Sequence, residues 1–563
     1  MKKEEIFVRI KIPFLILGFT GPVGSGCTTL ADIIARTSPS ALVKRKRFYE
    51  ETVKELENIS KEMKKTSNNE ELQKFNKRLE TCYEKRACFT IIQQIKDPKF
   101  IYISMSALII KLVIETMNGP DFIAWSQRFP EMAKMLNGFK LRWIDTINLY
   151  NLYEKNYEEL SSKDLNTIDE MFKAFIEIRK KITDVELEDY FNNKIDELHF
   201  QNFGDNLRKT GNAFITDSNL RDYKNLPIIA KEVNRYIKYC RNRTDGKNAD
   251  CFVIDAFRNP AEVEFFRRYD QFFLISLYAS EKTRRERLEK AFCGDTLHGN
   301  YNFIQKFREI DKRDWGNDSN INELDKQNVS RCYYMADISF NNDDEVLEFD
   351  LELFKKFIRY YALIVSPGCI QPTKEETFMN LAYSLSLRSS CISRKVGAVI
   401  TDKAGFVLGL GWNEVAHGQI GCGLRLKEDF LSNTELFSMN IFREIFSEDD
   451  FVQYTTSDSI CFKDVLSEKK IREKLSRTKL SGSDKNAALQ VLNIKRLEYC
   501  RSLHAEENAL LQVASRGGMG VNEGEIYTTT FPCELCAKKI YQSGIKRIYF
   551  TEPYPNSISE NVF

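Results

Sequence analysis

The chain has 563 residues, of which 42% are hydrophobic and 29% charged, and its formal net charge is +2. The length predicts two or three domains, and the composition is typical of globular domains with sizeable cores. The near balance of charge argues against a broad electrostatic surface for nucleic acid, and no apolar run is long enough to cross a bilayer.

A short apolar run near the start leads into a glycine-rich turn. Residues 14–19 have the composition of a fully buried parallel strand, and the absence of a small-residue cleavage site favours a strand over a secretory signal. A helical pattern follows the turn, so that strand, loop and helix match the context of a phosphate-binding loop, whose backbone amides and helix N-terminus point at the phosphate. The loop and first helical residues are Gly21, Pro22, Val23, Gly24, Ser25, Gly26, Cys27, Thr28 and Thr29.

Cys27 stands where the phosphate-binding loop formula has lysine. A thiol brings no positive charge to a β- or γ-phosphate, so efficient phosphoryl transfer is not expected. The loop can still hold a nucleotide through its amides and an Mg²⁺ ion through Thr28. The alternative is a glycine turn that no longer binds anything.

The next long segment, residues 48–202, has apolar residues at helical spacing. We predict a helical insertion or lid, in which residues 101–116 form one of the helices. Residues 203–208 then resemble a polar loop.

Alternating strands and helices resume after this segment. Residues 251–255 are a predicted strand that ends at Asp255, in the place of a Walker-B carboxylate, and residues 272–277 and 337–342 are further strands. The pattern predicts a doubly wound α/β domain whose element order resembles the nucleoside and nucleotide kinase branch of the P-loop folds. Three arginines on the helix between the last two strands are either phosphate ligands or part of a solvated face: Arg284, Arg285 and Arg287.

A helix at residues 347–364 and the turn residues that follow it mark the start of a second domain. We predict a P-loop kinase-like domain over residues 1–355 and a second domain over residues 366–563, with an insertion at about 424–497. The second domain contains, in order, a helix at 375–386, a hairpin at 396–411, a helix at 503–513, a strand at 526–529, a helix at 533–543 and a strand at 548–550. This order is typical of the αβα cytidine-deaminase architecture.

Four residues near the end carry the most specific pattern. His504 precedes Glu506 by two residues, and Cys533 and Cys536 form a Pro-Cys-x-x-Cys pair. One imidazole and two thiolates occupy three of the four tetrahedral positions of zinc and leave one for water, whose proton a nearby glutamate can transfer. The combination is the signature of the zinc-dependent nucleobase deaminases.

Other cysteines leave a second kind of site open. The 14 cysteines of a chain without a secretory signal are expected to be reduced thiols in the cytoplasm. A purely structural zinc site would need a fourth protein ligand, and Cys500 is the nearest candidate. It can also pair with Cys422 or Cys461 in a second metal site; the alternative for all three is a buried thiol.

Several segments make the second domain resemble the deoxycytidylate (dCMP) deaminases. These are residues 393–399, 411–413, 504–509, 532–537 and 544–549. Together with the P-loop kinase-like domain, they make the whole chain similar to the bacterial anti-phage dCTP deaminases. The resemblance implies zinc-dependent conversion of dCTP or dCMP to deoxyuridine nucleotides and ammonia, which depletes dCTP during phage infection, with the P-loop domain regulatory.

The resemblance also implies roles for individual residues. His504, Cys533 and Cys536 would bind zinc, and Glu506 would be the catalytic acid and base. Asn413 would contact the deoxyribose. Three residues would lie near the phosphates: Arg394, Lys395 and Asn508. Implied partners are deoxycytidine nucleotides, a nucleotide effector at the P-loop, an inhibitory small RNA and further copies of the chain, with no membrane.

Two other functions remain open from the sequence. A nucleic-acid editing deaminase of the tRNA type shares the zinc pattern, although the near-neutral charge weighs against it. A P-loop nucleotide sensor or kinase, with the deaminase fold as a scaffold, is the other alternative.

Overall fold

The structure is a computed structural model that describes residues 14–552 with gaps. The gaps are residues 38, 46, 65–68, 95–99, 157–159, 192–194, 196–197, 244–250, 293–300, 317–323, 344–348, 425, 427–460, 462–472, 474–475, 477–481, 483–499 and 518–519. The chain divides into two compact units, unit 1 (Met1–Ile370) and unit 2 (Gln371–Phe563). Most of the predicted insertion at 424–497 lies outside the described residues. Among the helices that the structure describes, none combines the length and the apolar character needed to cross a membrane.

Unit 1 contains a five-stranded sheet in which all pairings are parallel. The strands are β1 (Leu15–Thr20), β2 (Phe100–Ser104), β3 (Cys251–Asp255), β4 (Phe272–Tyr278) and β5 (Ile338–Asn341). They lie in the order β2-β3-β1-β4-β5, and every residue of β1 is buried. The predicted parallel sheet and its strands at 251–255, 272–277 and 337–342 are confirmed.

Helices cover both faces of this sheet, because side chains alternate between the faces along each strand. Ile16 packs into one core with the middle helices of the unit, whereas Leu17 packs into the other with the first and last helices. The helices are α1 (Cys27–Arg36), α2 (Pro39–Arg45), α3 (Phe48–Met63), α4 (Asn69–Gln94), α5 (Met105–Thr116), α6 (Pro120–Arg128), α7 (Pro130–Asn156), α8 (Ser162–Phe191), α9 (His199–Thr210), α10 (Ile228–Arg243), α11 (Pro260–Phe266), α12 (Glu281–Phe292), α13 (Tyr301–Trp315), α14 (Val329–Tyr334) and α15 (Phe349–Val365).

The prediction of one helix over residues 101–116 is wrong in its first part. β2 occupies Phe100–Ser104 and pairs with β3, and only then does α5 begin. Aromatic and β-branched residues favour the strand, and the Ser104 hydroxyl accepts from the Ala107 amide and caps the helix. The segment 48–202 is therefore not an all-helical insertion, because it contributes an edge strand to the sheet.

The prediction of a polar loop at residues 203–208 is also wrong. These residues lie within α9, whose buried side includes Phe203 and Leu207. The buried Arg208 makes this helix look polar in sequence, but its guanidinium donates to the Glu262 carboxylate at 2.8 and 2.9 Å. Because a buried, paired arginine looks like a surface residue in the sequence, the helical pattern of this segment was not recognised.

Unit 2 has three layers. Its sheet has the order β11-β10-β6-β7. Helix α16 packs on one face and helices α17 and α18 on the other. The elements are α16 (Lys374–Ser386), β6 (Gly397–Thr401), β7 (Val407–Trp412), β8 (Glu414–Val415), β9 (Ser502–Leu503), α17 (Ala505–Ser515), β10 (Glu525–Thr530), α18 (Glu534–Gln542) and β11 (Arg547–Glu552). The predicted order of helices and strands and the hairpin between β6 and β7 are confirmed.

A buried carboxylate at the start of β10 yields a stability prediction. Burial alone raises the pKa of Glu525, but hydrogen bonds from Lys374, Tyr527 and Arg547 outweigh it and hold the pKa at about 2, against an ordinary value of 4.5. Because the folded-state pKa is lowered, this stabilisation is present above pH 4.5 and is lost as the pH falls toward 2. We expect Glu525→Gln to destabilise unit 2 by roughly 1–3 kcal/mol at neutral pH.

Calorimetry of the full chain at pH 7 and pH 4 tests this prediction. The difference in unfolding temperature between wild type and Glu525→Gln should be smaller at the lower pH. An equal difference at both pH values would contradict the assignment.

Candidate metal centre

Three possible metal ligands lie at the starts of two helices. His504 is the N-cap of α17 and Cys533 is the N-cap of α18, while Cys536 lies in the first turn of α18. The strand β10 between the two helices brings these ends together. Because a helix N-terminus carries partial positive charge, it favours the thiolate form of a cysteine that lies there.

The ligand atoms are at the spacing that zinc requires. The Nδ1 atom of His504 lies 3.3 Å from the Cys533 Sγ and 3.4 Å from the Cys536 Sγ. Tetrahedral zinc with ordinary Zn–N and Zn–S bonds separates such atoms by about 3.5 Å. Within the part of the chain that the structure describes, these three residues form the one group of three or more metal-ligating side chains. A second centre that involves Cys422, Cys461 or Cys500 stays a prediction, because most of the residues around Cys461 lie outside the described part of the chain.

The environment of the ligands favours metal binding. The contact with the Cys536 thiol and the hydrogen bond with His504 lower the pKa of the Cys533 thiol, against the effect of burial. Both sulfurs are buried, with Cys533 1% and Cys536 2% exposed. A buried thiolate beside an imidazole is stable only with a partner, and a zinc ion is a partner that all three atoms can share.

Glu506 lies next to this group at the start of α17. Its side chain is 4% exposed, and burial raises its pKa to about 7, while His504 opposes this shift. A carboxyl group with such a pKa can accept and return a proton near neutral pH. The adjacent Glu507 instead forms an ion pair with Lys539 of α18 on the surface, as its position one residue along the helix implies.

Close packing of α17 against β7 sets the position of Glu506. A Cβ atom at Gly411 would lie 2.0 Å from the Ala505 carbonyl oxygen and 2.6 Å from the Ala509 nitrogen. Two side chains of α17 reinforce the contact, since Asn508 Nδ2 donates to the Trp412 carbonyl and Gln512 accepts from the Leu410 amide. Glycine at 411 is therefore required for the helix to approach the strand.

We expect Gly411→Ala to destabilise unit 2 by about 1–3 kcal/mol, since the added methyl group must push α17 away from β7. The displacement also moves Glu506 relative to the ligands, so any reaction that uses this carboxyl group should slow as the unfolding temperature falls. Gly520→Ala is the matched control, because a Cβ atom at Gly520 meets no atom within 4 Å. Equal behaviour of the two variants would contradict this account of the packing.

Three of the four predicted substrate residues, Arg394, Lys395 and Asn413, lie at one turn. The Asn413 side chain accepts from the Val396 amide at 2.7 Å and donates to the Arg394 carbonyl at 2.6 Å, so it fixes residues 394–396. Lys395 is exposed and Arg394 is half-buried. Asn508 is predicted to lie near the phosphates, but its side-chain amide donates to the Trp412 carbonyl.

Two supporting residues were missed from the sequence. Gln512 binds β7, and the Thr529 hydroxyl accepts from the Gly397 amide at 3.2 Å and links β10 to β6. Gln512 follows Asn508 by four residues on the same face of α17. Two amide side chains four residues apart lie on one face of a helix, so this spacing could have predicted that both contact the neighbouring strand.

The glycine loop of unit 1 lies between a strand and a helix, as its sequence predicts. β1 ends at Thr20 and α1 begins at Cys27. Gly24 and Gly26 have φ of 80° and 102°, in the left-handed region that favours glycine. The Cys27 thiol is buried against the Ser25 hydroxyl at 3.4 Å, and burial raises its pKa to about 11.

The three arginines predicted beside this loop lie in α12. Arg284 is buried and donates to the Val23 carbonyl, while Arg287 donates to the Gly24 carbonyl at 3.0 Å. Both therefore contact the loop through its carbonyl oxygens, and the solvated-face alternative is wrong for Arg284. Arg285 lies 4.0 Å from a glutamate one turn along its own helix.

Comparison with known proteins relates unit 2 to a family. The model of the cytidine and deoxycytidylate deaminase zinc-binding region matches residues 372–552. Deoxycytidylate deaminase of Enterobacteria phage T2 is 32% identical over 184 residues, which is 32% of this chain and 81% of that protein. The enzyme of the same name from Enterobacteria phage T4 is 30% identical over 183 residues, which is 32% of this chain and 79% of that protein. The crystal structure of dCMP deaminase from the cyanophage S-TIM5 with dCMP and dUMP covers 34% of this chain and 91% of that chain, with 22% identity and a TM-score of 0.20.

Proposed function

We propose, because this chain belongs to the deoxycytidylate deaminase family, that unit 2 hydrolyses the amino group of deoxycytidine nucleotides. The products are deoxyuridine nucleotides and ammonia, and the substrate is dCTP, dCMP or both. The observation that carries the proposal is the group of His504 Nδ1, Cys533 Sγ and Cys536 Sγ, whose spacing fits zinc and which has the buried Glu506 beside it.

In the proposed reaction, three residues bind the metal and a fourth transfers protons. His504, Cys533 and Cys536 would hold zinc, which when bound lowers the pKa of a water toward neutrality. Glu506 would take a proton from the attacking water and deliver protons to the ring nitrogen and the departing amine. One water is consumed and one ammonia is released, so no oxidant or reductant is needed.

For substrate recognition we propose the turn that Asn413 organises. Asn413 would contact the deoxyribose while holding residues 394–396 in place. Arg394 and Lys395 are the two cations of that turn and would face the phosphates. Asn508 would act indirectly, by keeping β7 against α17.

For unit 1 we propose a regulatory role in depleting dCTP during phage infection. Its glycine loop, with Thr28 exposed at the start of α1, would bind a nucleotide effector with Mg²⁺. Asp255, buried at the end of β3, would serve as the Walker-B carboxylate. Control by a small RNA and assembly into a homo-oligomer are part of the same proposal, by resemblance.

A nucleotide panel tests the proposal. Purified full-length chain is incubated with CMP, dCMP, CTP and dCTP, with and without a zinc chelator, and uracil-containing product is measured. We expect turnover of a deoxycytidine nucleotide that chelation removes. Turnover of cytidine ribonucleotides at an equal rate would contradict the proposed deoxyribose contact. Activity on oligonucleotides alone would favour an editing deaminase.

A further inference from the structure

The glycine loop of unit 1 lacks its own cation, but another cation lies beside it. The chain after β3 runs next to the end of β1, because the Phe257 amide donates to the Phe19 carbonyl at 2.9 Å and the Thr20 hydroxyl donates to the Phe257 carbonyl at 2.8 Å. Arg258, the next residue, is thereby brought to the start of the loop. It lies at the carboxyl edge of a parallel sheet, where ligands of open α/β folds bind.

The residues before and after Arg258 in sequence fix the conformation of its backbone. Ala256 has a φ of 62°, which is unusual for a residue other than glycine and turns the chain sharply after Asp255. Phe257 is fully buried, and Asn259 caps α11 with a capping box. The direction in which Arg258 leaves the sheet is therefore fixed before any ligand arrives.

The charge of Arg258 affects the pKa of Cys27, which stands where the phosphate-binding loop formula has lysine. The positive charge of Arg258 lowers the pKa of the Cys27 thiol, against the larger effect of burial. The guanidinium pairs with Asp314 of α13, which is 0% exposed, while 28% of the Arg258 side chain is exposed. The cation is thus positioned by a buried partner and remains partly exposed to solvent.

Buried polar atoms without a hydrogen-bond partner occur on residues that interact electrostatically with Arg258 or with its neighbour Asp255. Three buried side-chain atoms in this cluster have no hydrogen-bond partner among the described residues: Asp255 Oδ1, Asp314 Oδ2 and Arg179 Nε. Asp255 is 1% exposed, and its other oxygen accepts from the Tyr102 hydroxyl at 2.6 Å. A buried polar atom without a partner costs about 1–3 kcal/mol, so a bound group is expected to supply the missing contacts.

We propose that Arg258 replaces the lysine that the glycine loop lacks and contacts the phosphate of a ligand bound at residues 21–28. The ligand is a phosphoanhydride-bearing molecule such as a nucleoside di- or triphosphate. Ordered water or the Mg²⁺ ion that accompanies the ligand faces Asp255 and Asp314, and Arg179 Nε from α8 faces an acceptor atom. The inference rests on the proposed phosphate-binding role of the glycine loop.

The test measures binding of inorganic pyrophosphate and of ATP to the zinc-loaded full-length chain by calorimetric titration. Arg258→Gln alone would leave Asp314 as an uncompensated buried charge, so the variant used is Arg258→Gln with Asp314→Asn. We expect it to bind both probes at least about tenfold more weakly than wild type. Adding Cys27→Lys to this double variant should restore binding, because the lysine then supplies the cation from within the loop.

The matched control neutralises another arginine–aspartate pair of unit 1. Arg267 and Asp337 are paired at 2.7 Å at the amino end of the sheet, away from the loop, so Arg267→Gln with Asp337→Asn should bind the probes as wild type does. The proposal is overturned if the Arg258 double variant keeps wild-type affinity, if Cys27→Lys fails to restore binding, or if wild type binds neither probe. If wild type binds neither probe but releases ammonia from deoxycytidine nucleotides, the proposed ligand site at the glycine loop is wrong. The deaminase proposal is unaffected by that result.

Discussion

Glu506→Gln is expected to lower the rate of deamination by about 10²–10⁴-fold while the protein keeps its zinc. The amide has nearly the size of the carboxyl group but cannot accept the proton that the attacking water must lose. Because Glu506 is not one of the three ligands, the metal content should stay at the wild-type level. Ammonia release and zinc content, measured on the same preparation, check both parts of this expectation.

Glu507→Gln is the control for this prediction. Glu507 is adjacent in sequence, but its carboxylate pairs with Lys539 on the surface. An exposed ion pair of this kind contributes little to stability, so activity should stay within a few-fold of wild type. If Glu507→Gln were the inactive variant and Glu506→Gln the active one, the assignment of the proton carrier would be wrong.

Cys536→Ser is expected to remove both zinc and activity. The Cys536 Sγ lies 3.4 Å from His504 Nδ1 and is one of three ligand atoms. A serine hydroxyl stays protonated near neutral pH and is a poor zinc ligand, so two protein ligands would remain. We expect substoichiometric zinc by elemental analysis and no ammonia release, and the loss of the metal should also lower the unfolding temperature of unit 2.

Cys422→Ser provides the comparison for the ligand variant. Its sulfur lies 3.9 Å from the Ser502 hydroxyl and is not part of the ligand group. This variant should keep one zinc per chain and wild-type activity. A second zinc in wild type that Cys422→Ser removes would contradict a single metal centre.

The metal centre could be predicted from the sequence because each ligand is defined by a local signal. His504 and Cys533 both precede short helical patterns, and one strand separates them. Their order in the chain therefore determines that the two helix starts meet. Helices and strands of unit 2 were predictable for the same reason, since their apolar periods are regular and their turns are short.

Features that depend on contacts between distant segments were not predictable. The strand at Phe100–Ser104 was hidden because a helix of similar composition follows it directly. Within α9, Arg208 is buried only because Glu262 lies opposite. Arg258 carries no motif of its own, and its place next to the end of β1, where the glycine loop begins, follows from the pairing of β3 with β1.

The most direct test of the account is the product balance of a reaction run with full-length chain carrying one zinc. The protein is incubated with dCMP and with dCTP, and deoxyuridine nucleotide and ammonia are both quantified over time. The account predicts that the two products appear in equal amounts from at least one of the two nucleotides. Failure to form either product from both dCMP and dCTP, with zinc still bound at one per chain, would contradict it.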